Sequence, residues 1–523
     1  MWLRLDDLKI DAATAPAPPE EALPGLVRAR LGGDFRTLVV EGKSVDSRRG
    51  RPQILYRVRV ETSVPPPHGA EAVPPPPDPD ESDLWRALET DVRHPLVVGT
   101  GPCGIFAALG LALAGCEPVI LDRGRPVDRR AADYRTFLHT RELDPESNLL
   151  IGEGGAGTFS DGKLYTNNRD RRIAFILDTL VKCGAPPEIR YLKRPHIGSD
   201  NLRTTAVRLR KLLESLGATF RFGVNVTGLV LKDGVCTGVR TASGETLEAP
   251  CTILAAGLGG RELALALCRQ GVPFALKPFQ LGCRIEHPQD WVDRRQYRLP
   301  VRPAALSAAE YHLACPPRGG VLGVSSFCMC PGGEVLAASA WPGQLVSNGM
   351  SEYARAGRFA DAALIATLSG EGFSSPEAAY DFLAGRERAA FALGGGDYAM
   401  PAQGAPAFLR GENGLVRKQS GAATGIRPGR IDGLLPPPVR DALRNALADF
   451  DRKCPGFIRE GMFLGLESCI SSPVRFLRDP ATGASPVRGL YPGGEFGGWA
   501  GGITSAAADG LRLAWSVCGG ASD

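Results

Sequence analysis

The stretch HPLVVGTGPCGIFAALGLALAGCEPVILDRG, residues 94–124, decides the fold of this chain. PLVV is predicted as a buried strand, residues 105–114 as a helix and EPVILD as a second strand. Gly99, Gly101 and Gly104 separate the first strand from the helix with the spacing Gly-x-Gly-x-x-Gly. Asp122 ends the second strand, near the distance of about 20 residues at which a carboxylate binds a ribose hydroxyl. This order is typical of a dinucleotide-binding βαβ unit.

Each glycine of this unit has its own physical role. Gly99 permits a tight turn, Gly101 lets the main chain approach a pyrophosphate, and Gly104 allows close packing of helix and strand. The helix N-terminus offers free N–H groups and the positive end of the helix dipole to phosphates. A glycine turn without a ligand is the alternative, but it does not account for the flanking strands and the acid. We therefore predict a bound dinucleotide.

The bulk properties exclude several classes of protein. A chain of 523 residues is too long for one core and predicts two or three domains. A net charge of +4 gives no electrostatic reason to expect a nucleic-acid or membrane partner. No secretory signal is recognisable, and no apolar stretch reaches the roughly 20 residues of a membrane span. Thirteen cysteines, an odd number, predict reduced thiols and a cytoplasmic location.

A proline-rich stretch divides the chain. Residues 1–61 are predicted as a small N-terminal α+β domain. Residues 62–93 hold eight prolines between Pro65 and Pro79, which predicts an extended linker without packed elements. Residues 94–275 and 485–523 are predicted as the dinucleotide-binding domain, and residues 276–484 as a substrate or cap domain.

The order of elements after the second strand carries a resemblance. A second glycine-rich run, IGEGGAGTFSDGKLYT (151–166), precedes a helix, three strand-like runs and the strand TILAAG (252–257). This order resembles the FAD-binding domain of the glutathione-reductase-like flavoproteins, in which a meander is inserted into a Rossmann unit. The resemblance implies FAD as cofactor. It implies an α/β fold class with α+β elements: a Rossmann-like FAD-binding domain with a three-stranded meander, a mixed substrate domain and the small N-terminal domain.

The resemblance also explains the run YPGGEFGGWAGGITSAAADG, residues 491–510. It implies that Glu495 accepts hydrogen bonds from ribityl hydroxyls. It implies that backbone N–H groups of residues 501–503 bind the C2 carbonyl of the flavin ring, with glycines there because side chains would collide with the ring. A flexible glycine loop is the alternative. The FAD-binding residues so predicted are Gly99, Gly101, Pro102, Gly104, Asp122, Arg123, Gly155, Thr158, Ser160, Gly162, Val226, Gly257, Gly494, Glu495, Gly501, Gly502 and Ile503.

Longer motifs point to a narrower group. KSVDSRRG, EGGAGTFSDGKLYT, KPFQLGCRIEHPQ, SSFCMCPGGEV and NGMSEYARAG occur in this chain. They resemble motifs of the uncharacterised FAD-dependent dehydrogenases found in bacteria and plastids, and the resemblance covers nearly the whole chain. It implies an oxidoreductase with tightly bound FAD, and the group has no agreed substrate.

The departures from this group concern the predicted substrate pocket. An arginine–threonine pair is replaced by Cys469–Ile470, a serine–glutamate pair by Ala340–Trp341, and Phe496 and Trp499 are gained. A potential anion-binding arginine and a glutamate are lost. Our hypothesis is an apolar pocket for a small hydrophobic or aromatic substrate, in specialised metabolism.

Four side chains are candidates for catalysis. Cys328 and Cys330 face the same way if their segment is a strand. They form either a redox or catalytic site or two packed small side chains, since a metal would need further ligands and an i, i+2 disulfide would be strained. We predict no metal. His287 is either a general acid or base or a structural histidine, and Lys163 lies either near flavin N5 or on the surface.

Together these features indicate an FAD-dependent oxidoreductase that moves a hydride between a small-molecule substrate and flavin N5. No second Gly-x-Gly-x-x-Gly follows a strand, so oxygen, NAD(P)H, a quinone or a protein remains open as electron partner. One alternative is an NAD(P)H-dependent flavin monooxygenase or reductase. Another is a flavoprotein that mainly binds RNA or a partner protein through its N-terminal domain, for which RRGR (48–51) is the only support.

Overall fold

The N-terminal part of the protein forms its own antiparallel sheet. A computed structural model describes residues 1–48, 51–166 and 170–520, so Arg49 and Gly50 of the basic run and the last three residues of the chain lie outside the described residues. The sheet order is β2-β3-β1-β4. Its strands and helix are β1 (Trp2–Asp11), α1 (Leu23–Leu31), β2 (Thr37–Asp46), β3 (Gln53–Glu61) and β4 (Glu71–Val73). Buried residues alternate along β3, as expected for a sheet with one face on a core.

The proline-rich stretch is more structured than the sequence predicts. Its strand β4 pairs with β1, and the short helix α2 (Ser82–Arg86) follows. Trp85 on α2 is only 1% exposed and meets Trp515 edge to face, with ring centroids 5.1 Å apart. Burial of one large ring therefore fixes a segment that its prolines alone would leave extended.

A parallel sheet forms the centre of the next part of the chain. The elements of this part of the chain begin with β5 (Leu96–Val98), α3 (Pro102–Leu113), β6 (Val119–Asp122), α4 (Val127–Thr140), α5 (Arg172–Lys182), α6 (Ser199–Ser215) and β7 (Thr219–Phe222). They continue with β8 (Val226–Lys232), β9 (Val235–Thr241), β10 (Thr246–Glu248), β11 (Thr252–Leu254) and α7 (Arg261–Arg269). The strands β8, β9 and β10 form a separate antiparallel sheet, so a three-stranded meander is present. Its position differs by one strand from the prediction, because the first of the three predicted runs is β7, which pairs with β6 in the parallel sheet.

A larger mixed sheet occupies the following two hundred residues. Its order is β14-β15-β18-β13-β21-β19-β20. The elements of this part begin with β12 (Phe274–Leu276), β13 (Phe279–Pro288), α8 (Gln289–Tyr297), β14 (Ala314–Cys315), β15 (Val324–Cys330), β16 (Glu334–Ala337), β17 (Ser347–Met350) and β18 (Phe359–Leu368). They continue with α9 (Pro376–Leu393), β19 (Met400–Gly404), α10 (Ala405–Arg410), β20 (Ile426–Pro428), α11 (Pro437–Lys453), α12 (Phe457–Glu460), β21 (Met462–Glu467) and β22 (Val474–Phe476). Both central strands, β13 and β18, are buried over most of their length.

The chain then returns to the parallel sheet with β23 (Leu490–Pro492) and α13 (Ile503–Val517). The sheet order is β23-β11-β5-β6-β7, and every neighbouring pair is parallel. The α/β fold class and the strand–helix–strand context of the glycine fingerprint are thus confirmed. In the described ranges, no helix combines the length and the hydropathy that a membrane span requires.

Candidate functional site

The site lies at the edge of the parallel sheet where its strands end. Because the strands are parallel, the segments that follow β5, β6, β11 and β23 meet at one edge. These segments carry Gly99, Asp122, Gly257 and Glu495 respectively. Four predicted cofactor-binding segments, distant in the sequence, are therefore brought together.

Bare main chain surrounds open space at this edge. A Cβ atom placed on Gly101, Gly257 or Gly502 would meet no heavy atom within 4 Å. Gly99 is different, since a Cβ there would lie 2.3 Å from the carbonyl oxygen of Ala255. Packing therefore requires Gly99. The backbone favours glycine at Gly257 and Gly502, whose φ angles are +63° and +78°, whereas neither packing nor backbone requires it at Gly101, whose φ is −68°. The three open glycines fit a ligand that approaches the main chain closely, as a dinucleotide does.

Two helix N-termini point their donors at the same edge. In the chain as described, the N–H groups of Cys103 and Gly104 in the first turn of α3 have no hydrogen-bond acceptor. The N–H groups of Gly501, Gly502 and Ile503, at the start of α13, have none within these ranges either. Unpaired donors at a helix N-terminus suit an anion or a carbonyl oxygen. The donor set therefore fits the phosphates and the ring carbonyl of FAD.

Glu495 stands between β23 and α13. Its Oε1 accepts a hydrogen bond from the N–H of Ser472 at 2.9 Å. Its Oε2 lies only 2.5 Å from where a Cβ on Gly501 would be, so Gly501 makes room for this carboxylate. The flavin ring is the predicted reason for glycine at position 501, but the nearest protein group is the carboxylate of Glu495. Burial raises the pKa of Glu495 above its ordinary value, although Ser472 and Lys277 oppose the shift.

Asp122 and Arg123 already have protein partners. Asp122 accepts from the N–H and hydroxyl of Thr100 and, at 2.8 Å, from the N–H of Gly124, so it fixes the fingerprint turn. Arg123 forms two hydrogen bonds with Glu146, at 2.8 and 2.9 Å. Asp122 therefore orients the fingerprint turn, and Glu146 holds the neighbouring Arg123.

The second glycine-rich run is held by an arginine that sequence reasoning missed. Arg130 on α4 is fully buried and donates to the carbonyl oxygens of Asn148, Glu153 and Gly155. Thr158 donates to the carbonyl oxygens of Glu153 and Gly155 as well. A Cβ on Gly155 would lie 3.4 Å from the Cα of Gly101, so this run packs against the fingerprint turn. No motif marks Arg130, because its partners are main-chain carbonyls.

The remaining predicted cofactor residues have structural contacts. Ser160 donates to the carbonyl oxygen of Gly157 at 2.7 Å and accepts from the N–H of Gly162 at 3.1 Å. Val226 is the buried first residue of β8. Pro102 is the first residue of α3, and Gly494 donates its N–H to Asp509 at 2.8 Å. These residues shape the loops around the open glycines.

Lys163 connects the two large sheets. Its Nζ donates to Asp161 at 2.7 Å and to the carbonyl oxygen of Met329 on β15. The next residue, Leu164, accepts a hydrogen bond from the hydroxyl of Thr504 at the start of α13. Lys163 therefore lies between the N-terminus of α13 and the end of β15, and it is not a surface lysine.

His287 is not brought to this edge. It is fully buried, and its Nε2 donates to the carbonyl oxygen of Phe457 at 2.9 Å while Nδ1 accepts from the hydroxyl of Tyr311 at 3.2 Å. Its ring stacks on Trp291 with centroids 4.8 Å apart. Both ring nitrogens have protein partners, which is the arrangement of a structural histidine. Burial lowers the pKa of His287 to about 3, so the ring is neutral at pH 7.

We expect His287 to make the protein sensitive to acid. Below about pH 6.5 the unfolded chain protonates this ring, whereas the folded chain does so only near pH 3. The group therefore removes up to about 1.4 kcal/mol of stability per pH unit as pH falls between these values. Urea unfolding of H287Q at pH 7.5, 6 and 5 should give a stability that depends less on pH than that of the wild type, because glutamine does not titrate. H68Q, at an exposed histidine, should match wild type, and equal slopes for H287Q would contradict the assignment.

The four departures from the group that the sequence motifs resemble lie in two places. Ala340, Trp341 and Cys469 form one apolar cluster that includes Ile151 and Ala156 of the glycine-rich run. The other two positions contribute to packing elsewhere. Phe496 is 2% exposed and stacks on Phe476, and Trp499 lies over Arg478 at 4.4 Å. The expectation that all four line a pocket is therefore wrong for Phe496 and Trp499.

Comparison with known proteins agrees with this geometry. Residues 278–469 match a family described as "FAD-dependent protein, C-terminal domain-like". An uncharacterized protein of Clostridium beijerinckii is 40% identical over 426 residues, which cover 80% of each chain. The chain belongs to the same family as this clostridial protein. FAD as cofactor is confirmed by the family match, and so is the class of FAD-dependent oxidoreductase, because flavin is a redox cofactor.

Solved structures are similar over most of the chain but at low scores. Fructosamine oxidase (Amadoriase II) of Aspergillus fumigatus has a TM-score of 0.36 and 12% identity, covering 82% of this chain and 87% of its own. L-Proline dehydrogenase of P. horikoshii has a TM-score of 0.34 and 10% identity, covering 83% and 96%. Likeness at this level carries no argument about the substrate.

Proposed function

We propose that FAD binds at the edge of the parallel sheet, with its phosphates on the turn from Gly99 to Gly104 and the start of α3. Glu495 would receive ribityl hydroxyls, and the N–H groups of residues 501–503 would receive the ring carbonyl. Three observations support this arrangement: the open space at Gly101, Gly257 and Gly502, the unpaired helix donors, and the family match.

We further propose that the substrate is a small, neutral, apolar or aromatic molecule. FAD supplies the acceptor of the substrate's hydride when it is bound. The observation that carries the substrate class is the cluster of Ala340, Trp341 and Cys469 against Ile151 and Ala156. This cluster lies on the run that packs against the fingerprint turn.

The guanidinium of Arg261 lies 3.7 Å from the centre of the Trp341 ring, but two hydrogen bonds of 3.0 Å hold it on Glu387. Glu262, which accepts from the ring nitrogen of Trp341, is paired with Arg123. A carboxylate or ammonium group on the substrate would therefore lose its hydration there without gaining a free counter-charge.

The test is anaerobic reduction of the FAD-loaded protein by candidate substrates, measured as the loss of flavin absorbance. Neutral aromatic and alicyclic alcohols or amides are compared with their carboxylated analogues. We expect at least one neutral compound to reduce the flavin about tenfold faster or more than its charged analogue. C469R, which places a guanidinium in the cluster where related sequences carry an arginine, should reverse this preference, because it would pair with the carboxylate. W499Y, a change outside the cluster, should keep it. A faster reaction with the charged analogues would overturn the substrate class, and rapid bleaching by NADPH alone would indicate a reductase.

A further inference from the structure

Two cysteines lie in a segment whose main-chain carbonyl groups bind charged side chains. Cys328 and Cys330 end β15, and the intervening Met329 accepts the hydrogen bond of Lys163 through its carbonyl oxygen. The carbonyl oxygen of Cys328 accepts a second charged donor, Arg284, at 3.2 Å. Cationic side chains therefore approach this short segment from two directions.

A β-bulge gives the two thiols different exposure to solvent. The register of β15 against β18 shifts between Phe327 and Cys330, and Cys328 has a φ of +44°. Residues i and i+2 of a regular strand would share one environment. Here Cys330 is fully buried, whereas Cys328 is partly exposed. One thiol is thus accessible to a small reagent, and the other lies beneath it.

The surroundings favour the thiolate at Cys328. The neighbouring Cys330 thiol and the positive charges of Lys163 and Arg284 lower the pKa of Cys328 to about 6, against desolvation and the charge of Glu467. The Cys330 thiol donates its proton to the carbonyl oxygen of Cys328 at 3.5 Å. The pKa of Cys330 is raised well above its ordinary value by Cys328, by burial and by Asp361. The exposed member of the pair is therefore the nucleophile and the buried member keeps its proton.

An unsatisfied polar atom lies at the buried end of the pair. Asp361 is directly opposite Cys330 in the β15–β18 register and is 1% exposed. Its Oδ1 accepts from Arg284 at 2.7 Å, but its Oδ2 has no hydrogen-bond partner among residues 1–48, 51–166 and 170–520. A polar group formed at the thiol pair could bond to this free oxygen. Two inert, packed cysteines would not need such a partner.

We propose that Cys328 is a peroxide-reactive thiolate and that Cys330 is its resolving thiol. The Cys328 thiolate attacks one oxygen of the peroxide, the O–O bond breaks, and the leaving hydroxide takes a proton from solvent to give water. Cys328 becomes a sulfenic acid by this two-electron oxidation. Cys330 then attacks its sulfur, the S–O bond breaks, and the proton of Cys330 leaves with the hydroxide as a second water. The product is a disulfide between residues two apart, which is strained and readily reduced.

The first test is thiol labelling of the full-length, FAD-loaded protein with short iodoacetamide pulses, read by peptide mass spectrometry. Cys315 is the matched control, since it lies on the adjoining strand β14 and is also partly exposed. Labelling of Cys328 should rise less than about twofold from pH 7 to pH 9, whereas labelling of an unperturbed cysteine thiol rises more than about tenfold. K163M should slow labelling of Cys328 at pH 7. Equal pH dependence of the two cysteines would overturn the thiolate.

The second test is addition of hydrogen peroxide in small molar excess. In the wild type, the peptide that contains residues 328 and 330 should lose two hydrogens and regain them with dithiothreitol. In C330S, dimedone should trap a sulfenic acid at Cys328, and in C328S neither product should form. A wild-type peptide that stays reduced while Cys315 is oxidised would refute the proposal. The readout is the mass of a peptide, so it stands apart from the proposed substrate, and the flavin spectrum shows separately that each variant holds its cofactor.

Discussion

G101V is expected to abolish tight FAD binding while leaving the apoprotein folded. A side chain at this position meets no protein atom within 4 Å, and the backbone there, at φ −68°, is one that valine adopts. The added methyl groups would instead occupy the space proposed for the pyrophosphate. Overpacking costs about 1–3 kcal/mol, which corresponds to an affinity about fivefold to more than a hundredfold weaker. Flavin absorbance of the purified protein and titration of the apoprotein with FAD measure this loss.

Two other glycines serve as controls for G101V. Gly433 also has open space around it but lies in a turn of the larger domain, so G433V should keep FAD affinity at the wild-type level. G99A should act differently, because its Cβ would overlap the carbonyl oxygen of Ala255 and its φ is +104°. That change should lower the melting temperature of the apoprotein itself. A G101V protein that binds FAD as tightly as G433V would show that the cofactor lies elsewhere.

The local part of this site could be predicted from the sequence. The fingerprint places three glycines, a helix start and Asp122 within a few tens of residues, and each has a role set by backbone geometry alone. Such rules need no knowledge of distant contacts. The strand–helix unit therefore appears in the structure where the pattern predicts it, whereas the meander begins one strand later, since β7 joins the parallel sheet.

The long-range contacts could not be predicted in this way. Asp161 is paired with Arg355, 194 residues away, with hydrogen bonds of 2.9 and 2.6 Å. The sequence contains 61 basic and 57 acidic residues, so charge alone does not select such a pair. The bulge that exposes Cys328 and buries Cys330 depends on the register of β15 against β18. A regular strand was the simplest expectation, and the register is a tertiary property.

R284M is expected to destabilise the fold more than any surface change. Arg284 is fully buried at the centre of the mixed sheet. It forms two hydrogen bonds with Glu467, at 2.9 and 2.8 Å, and one with Asp361 at 2.7 Å. Removing it leaves two buried carboxylates without their counter-charge, which costs about 3–5 kcal/mol. R294A, which breaks an exposed pair with Asp290, should cost no more than about 0.5 kcal/mol.

The pH dependence of R284M separates lost charge compensation from lost packing. Burial already raises the pKa of Asp361 well above its ordinary value while Arg284 opposes the shift, so removing the arginine should raise it further. A carboxyl whose folded pKa lies above its unfolded value binds a proton more readily when folded, so the variant should regain stability as pH falls from 7 to 5. The wild type should gain less from Asp361 in this range, because Arg284 keeps the pKa of this carboxyl below its value in the variant. Replacing all three residues by apolar ones of similar size should also restore stability, because no buried charge remains. The measurement is chemical denaturation of R284M and the wild type at pH 5 and pH 7. If R284M loses the same free energy of unfolding at both pH values, the guanidinium acts by filling space.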